Sequence, residues 1–182
     1  MLSLAYINKS KSSKMEKITF KLNNKKRTVD VEPNDILLDV LRDKLGMKSP
    51  KCGCDRGDCG ACAVFLNGKG VRSCLILAIE VEGLEVTTIE GLSKNDLSPV
   101  QKAFVDFNSF QCGFCAPGFI ISATELLNEN PNPTKEEVKE ALSGNLCRCT
   151  GYMPIVDAVL NCSEKKQVVL NSKNKMNIRL YA

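Results

Sequence analysis

The chain has 182 residues, of which 25 are Lys or Arg and 21 are Asp or Glu, and its formal charge is +4. It contains no histidine, which excludes a Rieske centre, histidine-ligated zinc, haem or copper, and any mechanism that uses imidazole as a base. Its ten cysteines leave thiolates as the soft ligands available to a metal.

The basic excess lies at the two ends of the chain. Residues 1–15 carry three Lys and no acid, and residues 164–182 carry five basic residues against one Glu, so the body between them has three excess acids. Both ends are rich in Lys, Asn and Ser, which predicts a flexible N-terminal extension at 1–15 and a basic tail at 164–182. Because a nucleic-acid surface needs a basic face on a folded domain, we expect no nucleic-acid partner.

A cysteine-rich chain of this size is also compatible with a secreted disulfide framework. Residues 1–7 lack the basic and apolar regions of a signal peptide, and no later stretch approaches the length of a membrane span. We therefore predict a soluble, cytoplasmic protein without membrane insertion, in a compartment that keeps thiols reduced.

Residues 16–91 predict strands wrapped round one helix. Ile18–Leu22 and Thr28–Val31 flank an Asn-Asn-Lys-Lys turn and predict a hairpin. An amphipathic helix is predicted over 35–45, with its leucines on one side, and Gly46 ends it. Further strands are predicted at 63–66, 71–73 and 86–89. The pattern is typical of a β-grasp ferredoxin domain.

Residues 92–163 predict a four-helix bundle, so the fold class is α+β. Ser98 to Gln101 and Thr134 to Glu137 are capping boxes that open the first and third helices, and Pro117 and Pro154 mark the starts of the other two. In an up-and-down bundle, the end of helix one, the start of two, the end of three and the start of four share one pole.

Four cysteines of the first half follow the plant-type ferredoxin spacing. This first quartet consists of Cys54, Cys59, Cys62 and Cys74. Three thiolates on one loop and a distant fourth are the ligand set of a [2Fe–2S] cluster. Glycine and alanine alternate with the ligands, which lets backbone N–H groups approach the sulfurs. The spacing predicts one [2Fe–2S] cluster here.

The second quartet consists of Cys112, Cys115, Cys147 and Cys149. Both of its pairs fall at the same predicted pole of the bundle, so they can share a second [2Fe–2S] cluster despite the long interval. Two alternatives stay open. Four thiolates also suit structural zinc, and Cys112 to Cys115 resembles a thioredoxin-type redox pair. Cys52 and Cys162 are left over and are predicted to be free thiols or small buried residues.

Three segments together resemble the iron–sulfur subunit of the xanthine dehydrogenase/aldehyde oxidase family of molybdenum hydroxylases. They are GCDRGDCGAC with Cys74, QCGFCAPG, and GNLCRCTGY, and the likeness covers residues 16–163. It implies a β-grasp [2Fe–2S] domain, a helical domain with a second cluster, and electron relay from a molybdopterin centre to FAD.

The resemblance also implies partners and further site residues. Molybdopterin and FAD are expected in a large and a medium partner subunit, with no catalytic residue in this chain. Gln111 is expected to hydrogen-bond the pterin, with Cys149 beside it. A xanthine-type purine dehydrogenase is the preferred complex. The alternative is a free-standing ferredoxin-like carrier without a molybdenum partner.

Overall fold

Five strands form a mixed sheet in the first half of the chain, in a computed structural model that describes residues 15–93 and 96–162. The strands are β1 (Glu16–Leu22), β2 (Lys25–Val31), β3 (Ala63–Leu66), β4 (Lys69–Arg72) and β5 (Glu85–Thr87). Their order is β2-β1-β5-β3-β4, and only the β1–β5 pair is parallel among the pairs of this sheet. This confirms the predicted α+β class with a ferredoxin-type sheet.

The predicted hairpin forms with a shorter turn than expected. Leu22 pairs with Lys25, so only Asn23 and Asn24 lie in the turn, with φ of 49° and 65°. Asparagine tolerates this left-handed region better than most residues, and two such residues in succession suit a tight hairpin. Strand β2 therefore begins three residues before its predicted start at Thr28.

The predicted helix over 35–45 is present but shorter and irregular. Helix α1 (Leu37–Asp39) runs directly into a π-helical turn, Val40–Lys44, in which the N–H of Leu45 bonds the carbonyl of Val40 over 3.0 Å. Leu37, Leu38 and Leu41 are buried as the amphipathic pattern predicts. The wider turn rotates the last leucine, and Leu45 is only half-buried.

Two 3₁₀ turns connect β4 to β5. The first, Ser73–Leu75, replaces the end of the strand predicted at 71–73, because the buried Ser73 hydroxyl donates to the carbonyl of Cys62 over 2.7 Å. The second is Ala78–Val81. The first turn matters for the site, since it carries Cys74 back towards the cysteine loop.

The second half of the described chain is helical. It contains α2 (Ile89–Leu92), α3 (Pro99–Asp106), α4 (Ala116–Glu129), α5 (Lys135–Leu142) and α6, which spans residues 153–162. The capping boxes of Ser98 with Gln101 and Thr134 with Glu137 form as predicted. Helices α3 to α6 pack round one apolar core that includes Phe104, Phe119 and Ile155. This confirms the predicted helical domain.

Glycines bring the two halves into close contact. A Cβ at Gly118 of α4 would clash with the carbonyl oxygen of Gly60, and one at Gly60 would lie 2.6 Å from the carbonyl oxygen of Gly144. The guanidinium of Arg72 donates to that same Gly144 carbonyl over 2.7 Å. We call the contact of Gly60, Gly118, Gly144 and Asn145 the glycine joint. It holds the cysteine loop of the first half against the α5–α6 connection.

No helix in residues 15–93 or 96–162 combines the length and hydropathy needed to cross a membrane. Apart from Met15, the predicted N-terminal extension and the basic tail lie outside the described residues.

Candidate metal centres

The first quartet lies on the loop between α1 and β3 and on the 3₁₀ turn after β4. The N–H of Cys59 points at the sulfur of Cys54 over 3.4 Å, and the sulfurs of Cys62 and Cys74 lie 3.4 Å apart. Cys62 and Cys74 are buried, whereas Cys54 and Cys59 are partly exposed. The structure thus brings the four predicted residues together in two neighbouring pairs.

The loop leaves no space for a side chain at Gly53. A Cβ there would lie 2.8 Å from the sulfur of Cys59 and 3.4 Å from the ring of Phe114 in the second half. Because real Cβ atoms do not approach a sulfur this closely, any larger residue would push the loop away from its thiols. Gly53 therefore lets both the loop and the neighbouring domain come close to the first quartet.

The thiols of the first quartet differ widely in acidity. Backbone N–H groups of Arg56 and Cys59 lower the pKa of Cys54 to about 7. Burial, followed by the neighbouring thiol of Cys62, raises the pKa of Cys74 to about 12. A metal needs deprotonated thiols, so its positive charge must supply the stabilisation that buried Cys74 lacks. N–H groups directed at Cys54 are the donors that stabilise a bound thiolate.

The second quartet lies on the connections α3–α4 and α5–α6. The sulfurs of Cys149 and Cys112 are 3.5 Å apart, and both residues are exposed. The thiol of Cys115 contacts that of Cys147, and burial followed by this contact raises the pKa of Cys115 to about 12. The bundle therefore brings the two distant pairs to one pole, as predicted.

Two residues of the CRCTGY segment support Cys147, and no sequence pattern indicates their role. Thr150 places its hydroxyl 3.2 Å from the sulfur of Cys147, and the phenol oxygen of Tyr152 accepts from the Cys147 N–H over 3.1 Å. Burial alone would raise the pKa of Cys147, but Thr150 and nearby N–H groups outweigh it, so the pKa is lowered. Tyr152 packs edge-on against Phe119 of α4, which fixes the loop to the helical core.

The pairing of the thiols fits a two-iron cluster. Within the described ranges, no three or more Cys, Asp or Glu side chains surround a single metal position. Each quartet instead presents two thiol pairs, and in a [2Fe–2S] cluster each iron takes two protein ligands. Cys54 with Cys59 and Cys62 with Cys74 would hold the irons of one cluster. Cys112 with Cys149 and Cys115 with Cys147 would hold those of the other.

A backbone hydrogen bond links the two quartets directly. The N–H of Leu146 donates to the carbonyl of Cys59 over 3.0 Å. Leu146 immediately precedes Cys147, so a ligand of one quartet is joined to a ligand of the other through one residue and one hydrogen bond. The glycine joint produces this approach, which cysteine spacing alone does not predict.

Gln111 lies exposed at the pole of the second quartet. Its side-chain Nε2 donates to the backbone carbonyl of Cys149 over 3.3 Å. The two residues that the resemblance assigned to the pterin are therefore neighbours at the surface, and the pterin contact itself stays a prediction. Of the two remaining cysteines, Cys52 is exposed, and Cys162 is buried in the helical core.

Two iron–sulfur families match the two halves of the chain. Residues 20–87 match the 2Fe-2S iron-sulfur cluster binding domain, and residues 88–160 match the [2Fe-2S] binding domain. Together the matches include both quartets. They settle the choice for the second quartet between zinc, a thioredoxin-type redox pair and an iron–sulfur cluster in favour of the cluster.

Similar proteins show to which family the two domains together belong. The nicotine 6-hydroxylase small subunit of Paenarthrobacter nicotinovorans is 52% identical over 152 residues, covering 84% of this chain and 92% of that protein. The chain belongs to the iron–sulfur subunits of molybdenum hydroxylases. A probable xanthine dehydrogenase subunit of Bacillus subtilis is 40% identical over 139 residues, covering 76% of this chain and 80% of that protein.

A solved structure agrees with this membership. The aldehyde oxidoreductase of Desulfovibrio desulfuricans superposes with a TM-score of 0.81 at 46% identity, over 85% of this chain. The match occupies only 17% of that protein, so there the same two-domain unit is one part of a longer polypeptide. In the present sequence, the equivalent unit accounts for 85% of the 182 residues.

Proposed function

We propose that this iron–sulfur subunit relays electrons from a molybdopterin centre to FAD, with both cofactors held in partner subunits. The observation that carries the proposal is the hydrogen bond between the Leu146 N–H and the Cys59 carbonyl, which joins the two thiol quartets. A relay needs its two clusters close together, and this hydrogen bond brings ligands of the two quartets within one residue of each other.

The two quartets supply the chemistry that a relay needs. When bound, each [2Fe–2S] cluster provides a one-electron couple. Hydroxylation of a substrate releases two electrons together, whereas a flavin accepts them singly or as a pair. Two clusters in one chain, one at each quartet, can hold one electron each. The close approach of the quartets lets electrons pass from one cluster to the other. The chain contributes ligands, burial and N–H donors and no acid or base.

The exposure of the second quartet supports its position at the molybdopterin side. Cys112 and Cys149 both reach the surface, and Gln111 lies beside them with its amide on the Cys149 carbonyl. Further exposed apolar surface at the same pole comes from Phe114, Leu146 and Met153. A docked partner would cover these side chains and bring its cofactor close to Cys149.

A second exposed apolar area lies near the first quartet. It is formed by Leu75 and Leu77, of which Leu75 directly follows the ligand Cys74. An FAD subunit that docks here would bring its flavin close to the first cluster. The two apolar areas therefore offer separate docking surfaces for the donor and the acceptor of electrons.

We further propose a nitrogen heterocycle as the substrate of the complex. The purine predicted from the resemblance is one such ring, and the 52% identical relative is named for nicotine. The similarity to an aldehyde oxidoreductase makes an aldehyde the competing class. Reduction of the purified complex by nicotine and xanthine but not by aldehydes is the expected result, and preferential reduction by aldehydes would reverse the assignment.

A reducing compartment such as the cytoplasm would keep the ligand thiols available.

The route of the electrons is tested with Gln111→Ala in the assembled complex. We expect both clusters to assemble but to be reduced by substrate at least about tenfold more slowly, because a positional error of about 1 Å costs roughly this much or more in rate. Reduction by dithionite, which bypasses molybdenum, should keep its normal rate. Stopped-flow bleaching under each reductant distinguishes the two steps.

Unchanged substrate-driven reduction in the Gln111 variant would make this residue a support for the Cys149 loop only. Purification of the chain alone, fully active with unrelated electron acceptors, would favour the free-standing carrier instead.

A further inference from the structure

Lys51 lies between the two quartets. It precedes Cys54 by three residues, and its backbone N–H donates to the carbonyl of Ala61 over 2.9 Å, so its backbone belongs to the first cysteine loop. Its Nζ lies 5.7 Å from the ring centroid of Phe114, the residue directly before Cys115. The loop of one quartet thus places its ammonium group beside the other.

A network of hydrogen bonds fixes this position. The Lys51 Nζ donates to the carbonyl of Ser49 over 3.2 Å. Ser49 is buried and donates both its N–H and its hydroxyl to the carboxylate of Glu90. The buried hydroxyl of Thr88 also donates to that carboxylate. These hydrogen bonds hold the Glu90 carboxylate in place, and this carboxylate is an electrostatic partner of the Lys51 ammonium together with Cys115 and Cys112.

The electrostatic partners of Lys51 point to the second quartet. Partial burial lowers the pKa of Lys51, and the guanidinium of Arg42 lowers it further, while Glu90, Cys115 and Cys112 oppose the shift. Both cysteines among these partners belong to the second quartet. A partly buried charge is weakly screened by salt, and its effect falls with distance. The aromatic face of Phe114 also favours the cation.

We propose that Lys51 biases an electron shared by the two clusters towards the cluster of the second quartet. The inference rests on the proposed function, since it requires both clusters. Reduction adds one negative charge to a cluster, and a nearby cation stabilises that charge more strongly than it stabilises the oxidised form. The cluster closer to the ammonium therefore becomes the better electron acceptor.

The equilibrium concerned moves one electron within the chain. The reduced cluster of the second quartet is oxidised by one electron, and the oxidised cluster of the first quartet is reduced by one. No bond forms or breaks and no proton is needed. Lys51 makes the second position the more favoured one, which aids capture of electrons arriving at the exposed pole.

The test uses the full chain with both clusters loaded, reduced with one electron equivalent and examined by electron paramagnetic resonance. In Lys51→Gln, the ratio of second-cluster to first-cluster signal should fall by about three- to tenfold, or about 28 to 59 mV, since a tenfold change is 59 mV for a one-electron couple. Lys51→Met should act alike, because both variants remove the charge. Lys51→Arg should retain the normal ratio.

Lys48→Gln is the matched control. Lys48 belongs to the same loop, but its Nζ is exposed and donates to the carbonyl of Arg42 over 3.1 Å. Its loss should leave the ratio unchanged. An unchanged ratio in both Lys51→Gln and Lys51→Met, with both signals present, would overturn the role of Lys51 and leave the proposed function standing. A wild-type chain with fewer than two cluster signals would overturn the proposed function and this inference with it.

Discussion

Each quartet presents its thiols in contacting pairs, so the loss of one thiol leaves one iron with a single protein ligand. We expect Cys59→Ala to remove the first-domain cluster and keep the second, and Cys147→Ala to do the reverse. Electron paramagnetic resonance of the dithionite-reduced chain and iron analysis, falling from about four to about two irons, measure this.

Cys52 and Cys162 provide the controls for the ligand assignment. Cys52→Ala and Cys162→Ala should both retain two signals, although the second variant should lose some stability because Cys162 packs in the helical core. Disappearance of the first-domain signal in Cys52→Ala would show that Cys52, and not Cys54, is the ligand.

The grouping of eight cysteines into two quartets is the part of the site that the sequence predicts, and their role as iron ligands stays a prediction. Cysteines at these spacings can be identified in the sequence without knowledge of any neighbouring side chain. The roles of Thr150, Tyr152 and Leu146 escape sequence reasoning because these residues act through a hydroxyl and a backbone N–H, which many residues possess. Lys51 resembles an ordinary solvated charge in the sequence, since its position over Phe114 depends on a contact between the two domains.

Glu90 gives a prediction about stability and pH. Burial alone would raise the pKa of Glu90, but hydrogen bonds from Ser49 and Thr88 outweigh it and hold the pKa below its ordinary value. Its stabilising effect is therefore complete above the unfolded-state pKa of about 4.3 and is lost only as the pH falls through the lower folded pKa. Glu90→Gln should destabilise the chain by about 1 kcal/mol, a modest value for a partly exposed carboxylate.

Thermal unfolding of the cluster-loaded chain measures this as a midpoint about 2–4 °C lower. The difference between wild type and Glu90→Gln should stay constant from about pH 6 to about pH 8, above the range in which Glu90 titrates. Glu82→Gln is the control, since that carboxylate accepts from the backbone N–H of Thr19 and takes no part in the hydrogen bonds of Ser49 and Thr88. A difference that changes with pH across this interval would contradict the lowered pKa.

At the scale of elements, hydrophobic periodicity predicts the order of strands and helices, and the capping boxes predict two helix starts. The π-helical turn after Asp39 is not predictable, because Leu37, Leu38 and Leu41 satisfy an ordinary helical pattern equally well. The strand predicted at 71–73 ends early because Ser73 bonds the carbonyl of Cys62, a contact between residues that are distant in sequence.

The glycine joint predicts an unusual response to alanine in a helix. Gly118 lies within α4, where alanine normally stabilises by about 1 kcal/mol. Here a Cβ would meet the carbonyl of Gly60, so we expect Gly118→Ala to destabilise by about 1–3 kcal/mol and to lengthen the hydrogen bond from Leu146 to Cys59. Chemical denaturation measures the loss of stability. The longer hydrogen bond should appear as a lower rate of electron exchange between the clusters.

Gly83→Ala separates crowding from backbone strain. Gly83 has a φ of 72°, but no atom lies within 4 Å of the position that an added Cβ would take, so alanine there suffers strain without a clash. It should lose stability and keep the normal exchange rate. Equal exchange rates in Gly118→Ala and wild type would show that the joint does not control the path between clusters.

The whole molecule has a fixed electron capacity. Two quartets with one cluster each should accept two electrons per chain, matching the pair that one hydroxylation releases. Anaerobic titration with dithionite, followed by visible bleaching, should therefore end at about two electron equivalents per chain. An end point near one equivalent would mean that only one quartet carries a functional cluster.

We expect the glycine joint to affect how electrons cross the chain as well. Carriers that move electrons by swinging one domain towards another slow down in a viscous solvent, because the swing displaces liquid. Here the domains already touch through Gly60 and Gly118, and the hydrogen bond of Leu146 to Cys59 spans the boundary. Electron exchange between the clusters should therefore proceed at the same rate in buffer and in concentrated glycerol, because no domain has to move.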